Sequence, residues 1–173
     1  TRVRSSAASD VYKRQGADHR VDSVNAPWST IPQLVDDAAS RFGGQEAFVD
    51  EERRWTFTDY RDQIHTASRA LLAHDVQPGD RIAIWAPNLA EWAVAALGTH
   101  CIGAVLVPIN TRFKGHEAAD LLTRSSARIL FTVTDFLDTN YVSMLTEAGH
   151  GPDQLEQVIV LRGSVPDGCA AWD

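Results

Sequence analysis

The chain has 173 residues, 16 Lys plus Arg against 23 Asp plus Glu and 44% hydrophobic residues, which describes one globular domain and excludes a disordered or collagen-like chain. Residues 1–20 hold five basic side chains against Asp10 and Asp18, a net of +3, so the rest carries −10, the wrong sign for a nucleic-acid-binding body. Cys101 and Cys169 cannot build a disulfide framework and fit a reducing cytoplasm, with Cys101 in surroundings that read as apolar and buried.

The only methionine is Met144, so Thr1 is not an initiator, and no apolar run follows Arg2 and Arg4 as a secretory leader requires. Residues 1–15 resemble a stretch that recurs at the starts of unrelated gene products translated from short-read assemblies. They are expected to be a non-native head, with residues 16–29 a strap leading into the domain. Thr30 and Gln33 then form a capping box with Pro32 in the first turn, which predicts a helix to about Phe42, ended by Gly43-Gly44. Ala47–Asp50, the charged run Glu51–Arg54 and Trp55–Phe57 read as strand, turn and strand. Thr58 caps the next helix, whose apolar stripe is Tyr60, Ile64, Ala67, Leu71 and Leu72.

After the Pro78-Gly79-Asp80 turn, Arg81–Ala86 alternates little and reads as a strand covered on both faces. Asn88 and Glu91 form a second capping box for a nearly all-apolar helix over 89–101. Strand 104–109, helix 115–125, strand 129–133, helix 136–147 and strand 158–161 follow. This alternation predicts a four-stranded parallel sheet flanked by helices and preceded by a helix and a hairpin. Trp92–Ile109 is apolar enough to suggest a membrane span, but Gly98, Thr99, His100, Gly103 and Pro108 interrupt it, so a buried helix and strand explain it better.

Catalytic chemistry is sparse. Gly98 and Gly103 have the spacing of a phosphate loop, but Ala104-Val105 stands where Lys and Ser or Thr are required. The turn Ala86-Pro87-Asn88 lacks the glycines of a dinucleotide site. The six histidines show no metal-ligand spacing, no Gly-x-Ser-x-Gly elbow occurs, and His100 reads as a core-edge histidine. Asp36-Asp37 and Glu51-Glu52 read as solvated charge, and so does Lys114.

Four segments in order carry more: Trp55-Thr-Phe-Thr-Asp-Tyr60, Val76-Gln-Pro-Gly-Asp-Arg-Ile-Ala-Ile84, Asn88-Leu-Ala-Glu-Trp92 and Gly103-Ala-Val-Leu-Val-Pro-Ile-Asn-Thr-Arg112. Over about 30–161 the chain resembles the N-terminal part of the adenylate-forming acyl-CoA synthetases. Ile84–Asn88 and Phe131–Leu137 are most similar to bacterial ligases for fatty acids or steroid-derived propanoates. His74-Asp75 departs from the family's common Leu-Gly, and Lys114-Gly115 stands where a Ser or Thr cap is common.

The resemblance implies that residues 30–173 are an incomplete N-terminal part of the AMP-binding domain, whose partner is the remainder of its own chain. It implies ATP, Mg and coenzyme A for the parent enzyme. A small-molecule carboxylic acid attacks the α-phosphate of ATP, pyrophosphate leaves, and the thiol of coenzyme A attacks the acyl-adenylate. The ATP-phosphate loop and the catalytic lysine would lie beyond Asp173, so the fragment is expected to be inactive, with no catalytic and no metal-binding residue of its own. Its site residues are expected to be Asn110, Thr111 and Arg112, in the loop after the second parallel strand, beside the path of coenzyme A. In the bland alternative Asn110 and Thr111 only shape the turn and Arg112 pairs with a surface carboxylate. The alternative for the whole chain is a stand-alone flavodoxin-like or receiver-like binding domain.

Overall fold

The computed structural model describes residues 28–51 and 53–172, so the head and most of the strap lie outside the described residues. Helix α1 (Ile31–Phe42) is capped by Thr30, whose hydroxyl accepts from Gln33 N, and it buries Val35 and Ala39. The Gln33 side chain reaches Ser29 N at 2.8 Å, one residue beyond the position a capping box assigns it. Strands β1 (Glu46–Asp50) and β2 (Arg53–Thr56) form an antiparallel hairpin, so Arg53 and Arg54 belong to the second strand and not to the turn.

Helix α2 (Phe57–Ala73) starts directly off β2, and its cap is Thr56 in place of the expected Thr58. Thr56 Oγ1 accepts from Asp59 N at 3.1 Å while Asp59 Oδ2 accepts from Thr56 N at 3.0 Å, a reciprocal box that satisfies two orphan groups. Ile64, Ala67 and Leu71 are buried, but Leu72 is 54% exposed, because one residue beyond the stripe turns about 100° away from it.

The rest is a parallel sheet with crossover helices: β3 (Arg81–Trp85), α3 (Ala90–Cys101), β4 (Val105–Pro108), α4 (Gly115–Ser125), β5 (Ile129–Val133), α5 (Tyr141–Glu147), β6 (Gln157–Arg162) and β7 (Ala170–Ala171). The order is β4-β3-β5-β6-β7, with every pairing parallel. The sheet therefore has five strands where four were predicted. The extra strand is two residues long, too short to show a pattern, and is reached through a connection that turns on Gly163 and Gly168 at φ 99° and 80°.

The chain runs outward from β3 to β4 and then crosses back to β5 on the other side of β3. Helices α1, α2 and α3 touch one another, as do α4 and α5, two layers that such a reversal of strand order puts on opposite faces. Ile82, Ala83, Ile84 and Trp85 of β3 and Ile129–Val133 of β5 form the centre of the core. Every one of those β5 residues is buried, which explains why neither strand alternates.

Other details depart from the sequence reading. Asn88 does not cap α3: Leu89 holds the cap position without a side-chain bond, and Ala90 N donates to Asp50 Oδ2 from the hairpin at 2.9 Å. Glu91 is 3% exposed and paired with Arg162 and Arg53, so it closes no box. Helix α5 begins at Tyr141, because Phe136 bridges to Thr139 around Leu137 and Asp138 at φ 52° and 57°, and Asn140 provides the cap. His100 is exposed and Cys101 is half-buried. Among the described residues no helix is long and apolar enough to cross a membrane.

Candidate functional site

Parallel strands send their following loops to one edge, and ligands of open α/β sheets collect there. Between the turn after β3 and the loop after β4 lies an open cleft of about 390 Å³, whose walls include Asn88, Trp92, Pro108, Ile109, Asn110 and Thr111. The half-buried Trp92 indole supplies an aromatic wall, and Asn88 and Asn110 supply amides.

The loop 109–113 is fixed through its backbone. Ile109 N donates to Ile84 O at 2.9 Å, extending the ladder beyond the last residue of β4. Asn110 O accepts from Phe113 N at 3.0 Å and from Trp85 Nε1 at 3.1 Å, and Thr111 O accepts from the Tyr141 hydroxyl at 3.0 Å. Asn110 Oδ1 accepts from Arg112 N at 2.9 Å, the local turn for which Asn is suited. The Trp85 and Tyr141 rings stack with centroids 4.3 Å apart and planes 5° from parallel, and Phe136 meets Tyr141 edge-on. Burial pushes the Tyr141 phenol up, so it stays protonated and donates.

Two of the three expected residues, Asn110 and Thr111, line the cleft. Arg112 is exposed outside that lining and takes part in none of the ion pairs among the described residues. Sequence reasoning missed Trp85 and Tyr141. One signal for Trp85 was present: an indole N–H at the end of a wholly buried strand needs a partner nearby.

Elsewhere the chemistry is structural. A Cβ on Gly98 would lie 3.0 Å from Ala67 Cβ, so this glycine lets α3 approach α2 and cradles no phosphate. Burial raises the Cys101 and Cys169 thiols, which leaves them protonated and poor nucleophiles. Among the described residues no group of three His, Cys, Asp or Glu could hold a metal ion. The edge carries an aromatic wall and side-chain amides, with the exposed Arg112 cation on the same loop.

Residues 35–171 match the family model described as AMP-binding enzyme. The chain is 43% identical over 121 residues to the 3-[(3aS,4S,7aS)-7a-methyl-1,5-dioxo-octahydro-1H-inden-4-yl]propanoyl:CoA ligase of Rhodococcus jostii, covering 69% of this chain and 24% of that protein. It is 38% identical over 144 residues to the Mycobacterium tuberculosis ligase of the same name, covering 83% of this chain and 28% of that protein. The chain thus spans about a quarter of the length of these relatives. Its fold is similar to that of the anthranilate CoA ligase AuaEII, crystallised with anthranoyl-AMP, with a TM-score of 0.72 and 22% identity over 83% of this chain and 27% of that one.

Proposed function

The chain belongs to the AMP-binding enzyme family, and from that premise we propose that it is the N-terminal quarter of an ATP-dependent acyl-CoA synthetase. The observation that carries the proposal is the 43% identity over 121 residues to a named CoA ligase. In this reading the whole enzyme joins a small carboxylic acid to AMP with loss of pyrophosphate, then transfers the acyl group to the thiol of coenzyme A. The names of the two relatives favour an acid whose propanoate hangs from a fused ring system bearing two ketones. Two half-buried free cysteines accord with a cytoplasmic protein.

The strand order is also that of flavodoxin-like domains, the expected alternative, but the glycine-free turn Ala86-Pro87-Asn88 speaks against a bound nucleotide at the switch point. Among the described residues no cluster suits a metal ion, and Mg is assigned to the ATP-phosphate machinery of the rest of the enzyme. The domain is taken to begin at Thr30, the first cap, with residues 1–15 dispensable.

Asn110, Thr111 and Arg112 are assigned to coenzyme A. Arg112 offers a planar fork of donors suited to a phosphate, and its freedom from any ion pair among the described residues supports that role. Asn110 shapes the turn from which Arg112 projects. In the full-length enzyme Arg112→Ala should raise KM for coenzyme A about tenfold, the worth of one charge-assisted hydrogen bond, and spare adenylate formation. An unchanged KM for coenzyme A would remove the loop from the site.

A further inference from the structure

Two fully buried aromatic side chains spend their only polar atoms on successive carbonyls of a surface loop. Trp85 is 0% and Tyr141 3% exposed, yet the indole N–H goes to Asn110 O and the phenol O–H to Thr111 O, at 3.1 and 3.0 Å. The donors come from different parts of the chain: Trp85 ends the central strand β3, and Tyr141 opens α5, the crossover after β5. Their rings lie face to face at 4.3 Å, so neither donor can shift without the other. Phe136 braces Tyr141 from the edge, 6.3 Å away. A buried hydroxyl or indole N–H must find a partner or bear the cost of desolvation, so both are obliged to hold the loop.

Core packing does not require this arrangement. A phenylalanine at 141 would fill nearly the same volume and lack only the hydroxyl that donates to Thr111 O. What the two bonds add is a fixed path for the backbone that leads directly into Arg112, whose own N–H is tied to Asn110 Oδ1.

We infer that Trp85 and Tyr141 are positioning residues: the stacked pair sets the backbone of Asn110 and Thr111 and so aims Arg112 at the phosphate of coenzyme A. This inference rests on the assignment of the loop to coenzyme A made above. Tyr141 forms no contact with that ligand; it acts through the Thr111 carbonyl. A ligand-facing cation on an exposed loop loses affinity in proportion to the fraction of time it spends elsewhere, and the pair cuts that fraction.

The test uses Tyr141→Phe, which keeps the buried ring and its stack on Trp85 and removes only the hydroxyl. In the 173-residue chain, hydrogen exchange at the amides of Arg112 and Phe113 should quicken about three- to tenfold, the range of one net hydrogen bond, while the β5 amides exchange at the wild-type rate and show the fold intact. In the full-length enzyme the same variant should raise KM for coenzyme A about three- to tenfold and leave the rate of pyrophosphate release and KM for ATP unchanged. A purely structural tyrosine would instead impair all of these together, raising both KM values and slowing pyrophosphate release, or leave all of them unchanged. If Arg112→Ala raises KM for coenzyme A but Tyr141→Phe does not, the positioning role is overturned and the loop assignment stands. If neither variant moves it, the loop assignment fails and takes the positioning role with it. Exchange at Arg112 and Phe113 that stays at the wild-type rate overturns the inference whatever the kinetics show.

Discussion

Arg162, the last residue of β6, holds the carboxylate of Glu91 in the first turn of α3 with two nitrogens, Nε at 3.1 Å and Nη2 at 2.8 Å from the same Oε2. Arg162 also pairs with Asp50, whose other duty is to accept from Ala90 N, and Arg53 closes the group on Glu91. Four charged side chains thus fasten the hairpin and the α3 N-terminus to the end of the sheet, close to the loops of the candidate site.

Breaking this group should be costly because Glu91 is buried. Arg162→Met leaves Glu91 with Arg53 alone, and the expected loss is about 2–3 kcal/mol, below the figure for a fully buried pair since Arg162 is partly exposed. Urea unfolding of the two proteins at pH 7 measures it, and a change under 0.5 kcal/mol would show that the network is ornamental.

The same group predicts the acid limb. The hydrogen bond from Ala90 N, against a smaller opposing effect of burial and with help from Arg162, holds Asp50 below its usual 3.8. Burial alone would raise Glu91, but bonds from Arg162, its own backbone and Arg53 outweigh it and hold Glu91 below its usual 4.5. Both carboxylates therefore contribute stability that is complete above those usual values and is lost as pH falls through the lowered folded ones. Stability measured from pH 6 to 2 should fall most steeply below pH about 4, and Arg162→Met should flatten that fall.

Gly115 is expected to tolerate no side chain. A Cβ there would sit 2.1 Å from Met144 O, a backbone atom that can move only with α5. Gly115→Ala should therefore cost about 1–3 kcal/mol by overpacking, despite the gain in helix propensity, and shift the urea midpoint accordingly. A stabilised Gly115→Ala would mean that α4 and α5 are not so close.

The Thr56 cap gives a smaller and cleaner prediction. Thr56→Ala should cost about 1 kcal/mol, whereas Thr58→Ala, at the position the sequence first suggests, should cost less than half as much. Equal effects would favour the later start of α2.

The contrast between Thr56 and Thr58 shows what the sequence could and could not convey. The buried runs Ile82–Trp85 and Ile129–Val133 announce parallel strands, because a strand covered on both faces is apolar nearly throughout. Local caps were less legible, since Thr-Phe-Thr-Asp offers two hydroxyls and only the reach of Asp59 selects one. Partners brought from far away were not legible at all: the cap on α3 comes from Asp50, and Glu91 answers to Arg162, 71 positions on. The site followed the same division. Asn110 and Thr111 could be placed from the strand they follow, but the Tyr141 that holds them lies beyond another strand, behind a turn at Phe136–Thr139 that reads as helix.

Thioester formation by the full-length protein tests the central claim most directly. Incubated with ATP, Mg, coenzyme A and a panel of fatty and fused-ring propanoic acids, it should release pyrophosphate and form an acyl-CoA with at least one of them, while the 173-residue chain alone does neither. A full-length protein that makes no acyl-CoA from any acid in the panel, or an isolated chain that turns over by itself, would contradict the account.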